Sequence, residues 1–238
     1  YYDNLSRFLD FLQAFGRGGG AAQGSIHRFL AADPGESQAE NLGPQRLDRL
    51  VFDAAVAAGL PARPRVLDAG CGLGGTIFFW QERRGGSYDG LTLSPEQHHR
   101  ATQSAARRGI ADACRFHIHS YQDPIPRDAG VPGSLAAPFD SVIAVESLAH
   151  SPDPAATIAN LAAALAPGGL LLIVDDMPVE GSAAGLLAEF KKCWRCPVLT
   201  DAAGYRTAVA AAGLRMVHET DWTHRLRPRP LPWLRVLI

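Results

Sequence analysis

A ten-residue stretch, Val66-Leu-Asp-Ala-Gly70-Cys-Gly72-Leu-Gly74-Gly75, joins a short apolar run to an amphipathic one. Closely spaced glycines let a chain reverse direction tightly. They also let a ligand approach backbone where a Cβ would stand in the way. A strand, a glycine turn and a helix in that order open a parallel α/β unit. The pattern then repeats along the chain. Strands are expected at Arg65–Ala69, Tyr88–Leu93, Cys114–His119, Ser141–Val145, Leu170–Asp175 and Leu214–Glu219. Helices are expected at Gly75–Arg83, Pro95–Arg108, Pro154–Leu165, Ser182–Cys193 and Asp201–Ala212. Such alternation implies an α/β fold, a doubly wound parallel sheet with helices on both faces.

Local chemistry marks several boundaries. Ser94-Pro95-Glu96-Gln97 sets an N-cap serine before proline at the first helical position, with glutamine at the capping-box position. Pro167-Gly168-Gly169 is expected to stop a helix and turn into the next strand. Ahead of residue 64 the pattern is helical: Leu47, Leu50, Val51, Ala54, Ala55 and Ala58 put one apolar face on a helix over Leu42–Ala58. Tyr1–Phe15 also reads as helix, and Gly16–Gly24 as a flexible joint. Residues 1–60 are therefore expected to be a helical lid over the carboxyl edge of the sheet, and residues 61–238 the core. The Arg- and Pro-rich tail after Thr223 reads as a solvated extended segment.

Composition narrows the partners. Of 238 residues, 23 are Lys or Arg and 24 Asp or Glu, a net charge of −1 that argues against a dedicated nucleic-acid binder. No apolar run approaches the roughly 20 residues that span a bilayer. The four cysteines, Cys71, Cys114, Cys193 and Cys196, are too few for a disulfide scaffold in a chain this long. Cys193 and Cys196 have C-x-x-C spacing but no second ligand pair, so no metal is expected. A cytoplasmic location follows from these readings; oligomeric state is left open, with a homodimer allowed.

The glycine turn is ambiguous taken alone, because Gly70, Gly72 and Gly75 also satisfy the G-x-G-x-x-G dinucleotide fingerprint. Two neighbours discriminate. Asp68 stands just before the turn, where a carboxylate suits a cationic ligand and repels a pyrophosphate. A nicotinamide site expects Asp or Glu about 20 residues on, at the second strand's end. Here that end reads Gly90-Leu-Thr92-Leu93-Ser94, without an acid, although Thr92 and Gln97 offer hydrogen bonds. S-adenosyl-L-methionine, a sulfonium with an ammonium group and no phosphate, fits better than NAD(P). An NAD(P)-dependent oxidoreductase remains the distant alternative.

Asp68-Ala-Gly70-Cys71-Gly72-Leu-Gly74-Gly75 resembles the first motif of class I S-adenosylmethionine-dependent methyltransferases. Gly90-Leu-Thr-Leu-Ser-Pro-Glu-Gln97 resembles the second motif of the branch with sterol and tocopherol C-methyltransferases, cyclopropane fatty acid synthases and natural-product sugar O-methyltransferases. Phe139–His150 and Leu165–Gly169 resemble its fourth strand and the following turn. The resemblance implies a Rossmann-like, mostly parallel seven-stranded sheet with an N-terminal helical appendage. It implies that Gly70, Gly72 and Gly74 line the methionine part of the cofactor and that Asp68 and Cys71 also belong to the cofactor site. Thr92, Leu93 and Gln97 would meet its ribose and adenine, and Ser120 and Tyr121 would border the adenine. Glu146 would face the methyl-transfer centre, and the aromatic pair Tyr1 and Tyr2 would close over the site.

Methyl transfer from a sulfonium is an in-line displacement, so alignment and exclusion of water dominate. An oxygen acceptor must also lose a proton. His150 follows Glu146 by four residues, and Asp175 ends the neighbouring strand. A carboxylate orienting the imidazole would make His150 a competent base. The resemblance to sugar O-methyltransferases implies the same arrangement. His27, in the appendage, is expected to face substrate. A small-molecule, secondary-metabolite acceptor is expected, with O-methylation ahead of C-methylation of an isoprenoid alkene. The latter would draw on aromatic faces such as Phe78, Phe79, Trp80, Trp194, Tyr205 and Trp222.

Overall fold

The structure is a computed structural model and describes residues 27–28, 30–31, 45–125, 135 and 138–226. The helix expected at Tyr1–Phe15, the joint at Gly16–Gly24, the pair Tyr1 and Tyr2, and most of the Arg/Pro tail lie outside the described residues.

Five parallel strands form one sheet: β1 (Arg65–Ala69), β2 (Ser87–Thr92), β3 (Cys114–Ile118), β4 (Phe139–Val145) and β5 (Leu165–Val174). Their order is β3-β2-β1-β4-β5. The chain winds outward from β1 to β3, then crosses back to β4 on β1's other side. The crevice between the carboxyl ends of β1 and β4 is thus the topological switch point, where ligands bind in open α/β sheets.

Alternation along the strands divides the core into two layers. Val66, Tyr88, Ile143 and Val145 face one layer with α1 (Arg46–Ala57), α2 (Gly75–Arg84) and α3 (Pro95–Arg107). Leu67, Ala69, Leu91, Val142 and Ala144 face the other, with α4 (Pro154–Ala163) and α6 (Ala202–Ala211). Between those two helices in sequence, α5 (Ala184–Trp194) buries no residue. In α1, Leu47, Val51 and Ala55 recur every four residues and are all buried, with α1 packed against α2.

The caps act as their chemistry suggests. Ser94 accepts a hydrogen bond from the Gln97 amide, Asp153 from that of Ala156 and Asp201 from that of Gly204. The capping box at Ser94 is only half formed. The Gln97 side chain turns to Thr92 instead, accepting its hydroxyl at 2.8 Å.

Two expectations need correction. The sheet has five strands among the described residues, not seven, and Leu214–Glu219 forms no strand. In that stretch Met216 and Val217 are adjacent and both exposed, so no single apolar face exists to seat it beside β5. Pro167-Gly168-Gly169 does not precede β5 but lies within it. Phe139 pairs with Leu165 and Ser141 with Leu170, so the intervening residues bulge out of register.

Candidate functional site

The glycine turn caps β1 and starts α2. Its first two amides, of Gly70 and Cys71, donate to the Leu91 carbonyl on β2 at 3.1 and 2.9 Å. Gly70, Gly72 and Gly74 have φ of 104°, 52° and 84°, a region that favours glycine. A Cβ on Gly70 would stand 2.6 Å from Cβ of Ser147, and one on Gly74 2.9 Å from the Phe116 ring. Two of the three glycines are therefore needed for packing alone. Cys71 is buried, and burial, followed by the nearby Asp68, holds its thiol well above its ordinary range.

Asp68 is only 3% exposed. Burial pushes its carboxyl up to about 7; His27 opposes the shift and Asp48 adds to it. Among the described residues nothing donates a hydrogen bond to this carboxylate. A buried acid at the switch point, with no donor among the described residues, suits a ligand carrying an ammonium group.

On the β2–β3 side, Thr92 and Ile118 are register partners, and the large apolar residues Leu93 and Ile118 are 52% and 55% exposed at these adjoining strand ends. That apolar ledge suits the face of an adenine ring. The Thr92 hydroxyl is taken up by Gln97 and by the Ser94 amide, so it braces Gln97. Ser120 accepts the Gln122 amide, and the Tyr121 hydroxyl donates to the Ser147 carbonyl at 2.7 Å. Tyr121 thereby bridges the β3 end to the turn after β4.

Glu146 directly follows β4. It is a non-glycine residue at φ 52°, and its amide donates to the Val174 carbonyl at 2.7 Å. Left-handed backbone at such a residue is strained and persists where the surroundings hold it. Its carboxylate accepts from His27 Nδ1 at 3.2 Å and from the Arg28 amide at 3.3 Å. Arg28 also pairs through its guanidinium with Glu146 and Asp176 and lies over the Trp194 ring, 5.2 Å from its centroid. Behind His27, Nε2 meets Thr76 Oγ1 at 2.9 Å and Asp48 Oδ1 at 3.2 Å.

His150 sits in a short 3-10 turn, Leu148–His150, after β4. Burial lowers its pKa, opposed by a hydrogen bond with the Arg195 backbone. Asp175 does not orient it. The Asp175 carboxylate accepts the amides of Ala149 at 2.7 Å and Asp176 at 3.0 Å, and burial pushes it up to about 7. The expected His150–Asp175 dyad is thus replaced by a backbone-held imidazole and a carboxylate that pins the loop carrying it. Both Asp175 oxygens are already occupied by amides of its own and the facing loop.

Two further histidines are engaged locally: His98 is half-buried and bonds the Phe116 carbonyl, and His117 meets Asp89 at 2.9 Å. Phe78, Phe79 and Trp80 are buried in the core. All four cysteines are free, Cys193 exposed and Cys196 buried, and no metal-ligand cluster occurs among the described residues. Arg28, Asp48 and Thr76 were not anticipated. Only Asp48, a carboxylate between Leu47 and Val51 in an apolar stripe, carried a signal in the sequence.

Residues 67–171, from the middle of β1 into β5, match the family described as a methyltransferase domain. That stretch of the chain is similar to a methyltransferase domain. S-adenosylmethionine is the cofactor of this family, and the crevice residues fit it: a buried acid with no donor among the described residues, a glycine turn and an apolar ledge. The chain is 33% identical over 167 residues to a ubiquinone biosynthesis O-methyltransferase of Xanthomonas axonopodis pv. citri (strain 306), covering 69% of this chain and 63% of that one. It is 27% identical over 173 residues to the chloroplastic tocopherol O-methyltransferase of Arabidopsis thaliana, covering 69% and 47%. The chain spans about half the length of the curated tocopherol relatives it matches. In fold it is similar to geranyl diphosphate C-methyltransferase from Streptomyces coelicolor A3(2), with a TM-score of 0.70 at 19% identity, covering 95% of this chain and 84% of that one. No helix among the described residues is long and apolar enough to cross a membrane.

Proposed function

We propose that this chain transfers a methyl group from S-adenosylmethionine to a hydroxyl of a small-molecule acceptor, with His150 as the base. The observation that carries the reading is Asp68, a buried carboxylate at the switch-point crevice that no described residue hydrogen-bonds and whose charge burial disfavours. Asp68, Cys71 and Gly72 would hold the methionine part, Gln97 the ribose, and Leu93, Ser120 and Tyr121 the adenine. Gly70, Gly74 and Thr92 support these from behind. Bound there, the cofactor supplies an electrophilic methyl group on a cationic sulfur. Residues 1–60 would act as the lid and residues 61–238 as the core.

Two features favour oxygen over carbon as acceptor. Burial lowers the His150 pKa and so favours the neutral imidazole, the form that can take a proton from a hydroxyl. An alkene acceptor needs aromatic faces around a carbocation. Yet Phe78, Phe79, Trp80 and Tyr205 are buried in packing, and Trp194 already carries Arg28. Four unpaired thiols suit a reducing compartment such as the cytoplasm.

Calorimetry tests the first half of the reading. S-adenosylhomocysteine should bind and NAD should not; the reverse result overturns it. A tritiated-methyl screen over phenols, glycosides and terpenoids then tests the second half. Labelling of hydroxyl oxygen is expected, and labelling at carbon alone would reject His150 as base.

A further inference from the structure

Glu146 is held from behind by groups drawn from three separate elements. Its Oε2 lies 3.2 Å from His27 Nδ1. The other ring nitrogen, Nε2, lies 2.9 Å from Thr76 Oγ1 on α2 and 3.2 Å from Asp48 Oδ1 on α1. The Thr76 hydroxyl has a single proton, and it goes to Asp48 Oδ1 at 2.7 Å. Thr76 therefore presents a lone pair to Nε2, as Asp48 does. Both nitrogens of His27 face acceptors, and a neutral imidazole has only one N–H to give. The geometry asks for the doubly protonated ring. Asp48 is fully buried, and its Oδ2 has no hydrogen-bond partner. A buried carboxylate so placed needs a cation beside it.

We propose that Asp48 and Thr76 hold His27 as an imidazolium, and that this buried Asp–His pair is a positioning device which fixes the Glu146 carboxylate, charged, at the mouth of the methyl-transfer crevice. The proposal rests on the methyltransferase reading for what Glu146 faces, but not for the state of His27. The shift on the ring agrees with it. Burial works against the charge, and Asp48 and Glu146 together outweigh burial and hold the pKa well above its ordinary value. The other charged groups near the pair are Asp68 on β1, Arg28 beside Glu146, and Asp175 and Asp176 beyond β5. Removing the charge of Asp48 leaves burial as the dominant influence on His27. The ring then loses a proton at lower pH, and Glu146 keeps only a neutral donor. The strained backbone at Glu146 makes such a clamp useful, because a side chain on a left-handed residue is aimed by its partners.

Two readouts on the intact chain test this. Nitrogen NMR of the imidazoles should show His27 carrying both ring protons at pH 7.5. In Asp48→Asn its pKa should fall by about one unit or more. A neutral His27 at pH 7.5 in the unmodified chain overturns the proposal, whatever the protein catalyses. The second readout compares two probes by calorimetry: S-adenosylhomocysteine, and sinefungin, which carries an ammonium in place of the methylsulfonium. A charged, fixed Glu146 should favour sinefungin. That preference should fall about tenfold in Glu146→Gln and several-fold in Asp48→Asn, becoming pH-dependent in the latter. His27→Gln, which keeps a neutral donor, should lower the preference without pH dependence. Equal loss of both affinities would make Asp48 a packing residue only and overturn the proposal. Should Asp48→Asn fail to fold, Thr76→Val carries the same comparison. If the unmodified chain binds neither probe, the methyltransferase reading fails, and the NMR result alone decides the pair.

Discussion

The two walls of the crevice are built in opposite ways. The β1–β2 wall is made by near neighbours in the chain: Asp68 to Gly74 in one turn, Thr92 to Gln97 in another. The β4–β5 wall is assembled over long separations. His27 reaches Glu146 across 119 positions, and Arg28 reaches Asp176 across 148. A wall of local turns follows from backbone chemistry. A wall of distant side chains exists only after the sheet and α1 have packed. The first wall should therefore fail by misfolding or by losing the cofactor. The second should fail in charge state and turnover while the fold survives.

Substitutions sharpen that contrast. Gly70→Val should have the largest effect: with φ 104° and Ser147 within 2.6 Å of any Cβ, the variant should lose its cooperative thermal transition. Gly72→Val should still fold but melt lower, because φ 52° disfavours a β-branched residue, and while folded it should lose S-adenosylhomocysteine affinity by about 100-fold or more. Retained affinity would remove Gly72 from the cofactor wall. On the opposite wall, His150→Ala should lower turnover by about 10²–10⁴-fold with cofactor affinity intact. Unchanged turnover would end its role as base.

Asp68→Asn divides stability from binding. An acid whose pKa is raised on folding destabilises the fold as pH rises from its ordinary value toward the raised one. For Asp68 that window runs from 3.8 to about 7, and the penalty is complete above it. Three units correspond to about 4 kcal/mol at most. The cofactor-free variant should melt higher than the unmodified chain at pH 8, match it near pH 4, and bind S-adenosylhomocysteine more weakly. A lower melting point at pH 8 would mean that Asp68 already has a donor. Cys193→Ser, or a chelator, should change stability by less than about 0.5 kcal/mol, since that thiol is exposed and no metal-ligand cluster occurs among the described residues.

Where the sequence was read well, the signal was short-range. The glycine turn, the caps at Ser94, Asp153 and Asp201, and four of the strands needed only a few adjacent residues. Reading failed where a decision depended on a partner. Leu214–Glu219 has strand-like residues but forms no ladder. Pro167–Gly169 looks like a turn, yet Phe139 and Ser141 on β4 make it a bulge inside β5. Asp175 was assigned to His150 by proximity in the fold, but two backbone amides occupy both of its oxygens. Arg28 and Thr76 gave no warning at all, because nothing in their local pattern says what faces them.

The sequence by itself settled the α/β class, the glycine turn and the placement of an acid before it, since backbone freedom and alternating hydrophobicity act within a few residues. Tertiary structure decided which carboxylate meets which cation. Hydrogen bonds and charges choose partners by distance in space, and only the packed sheet brings α1, the segment at His27 and the end of β4 within reach of one another.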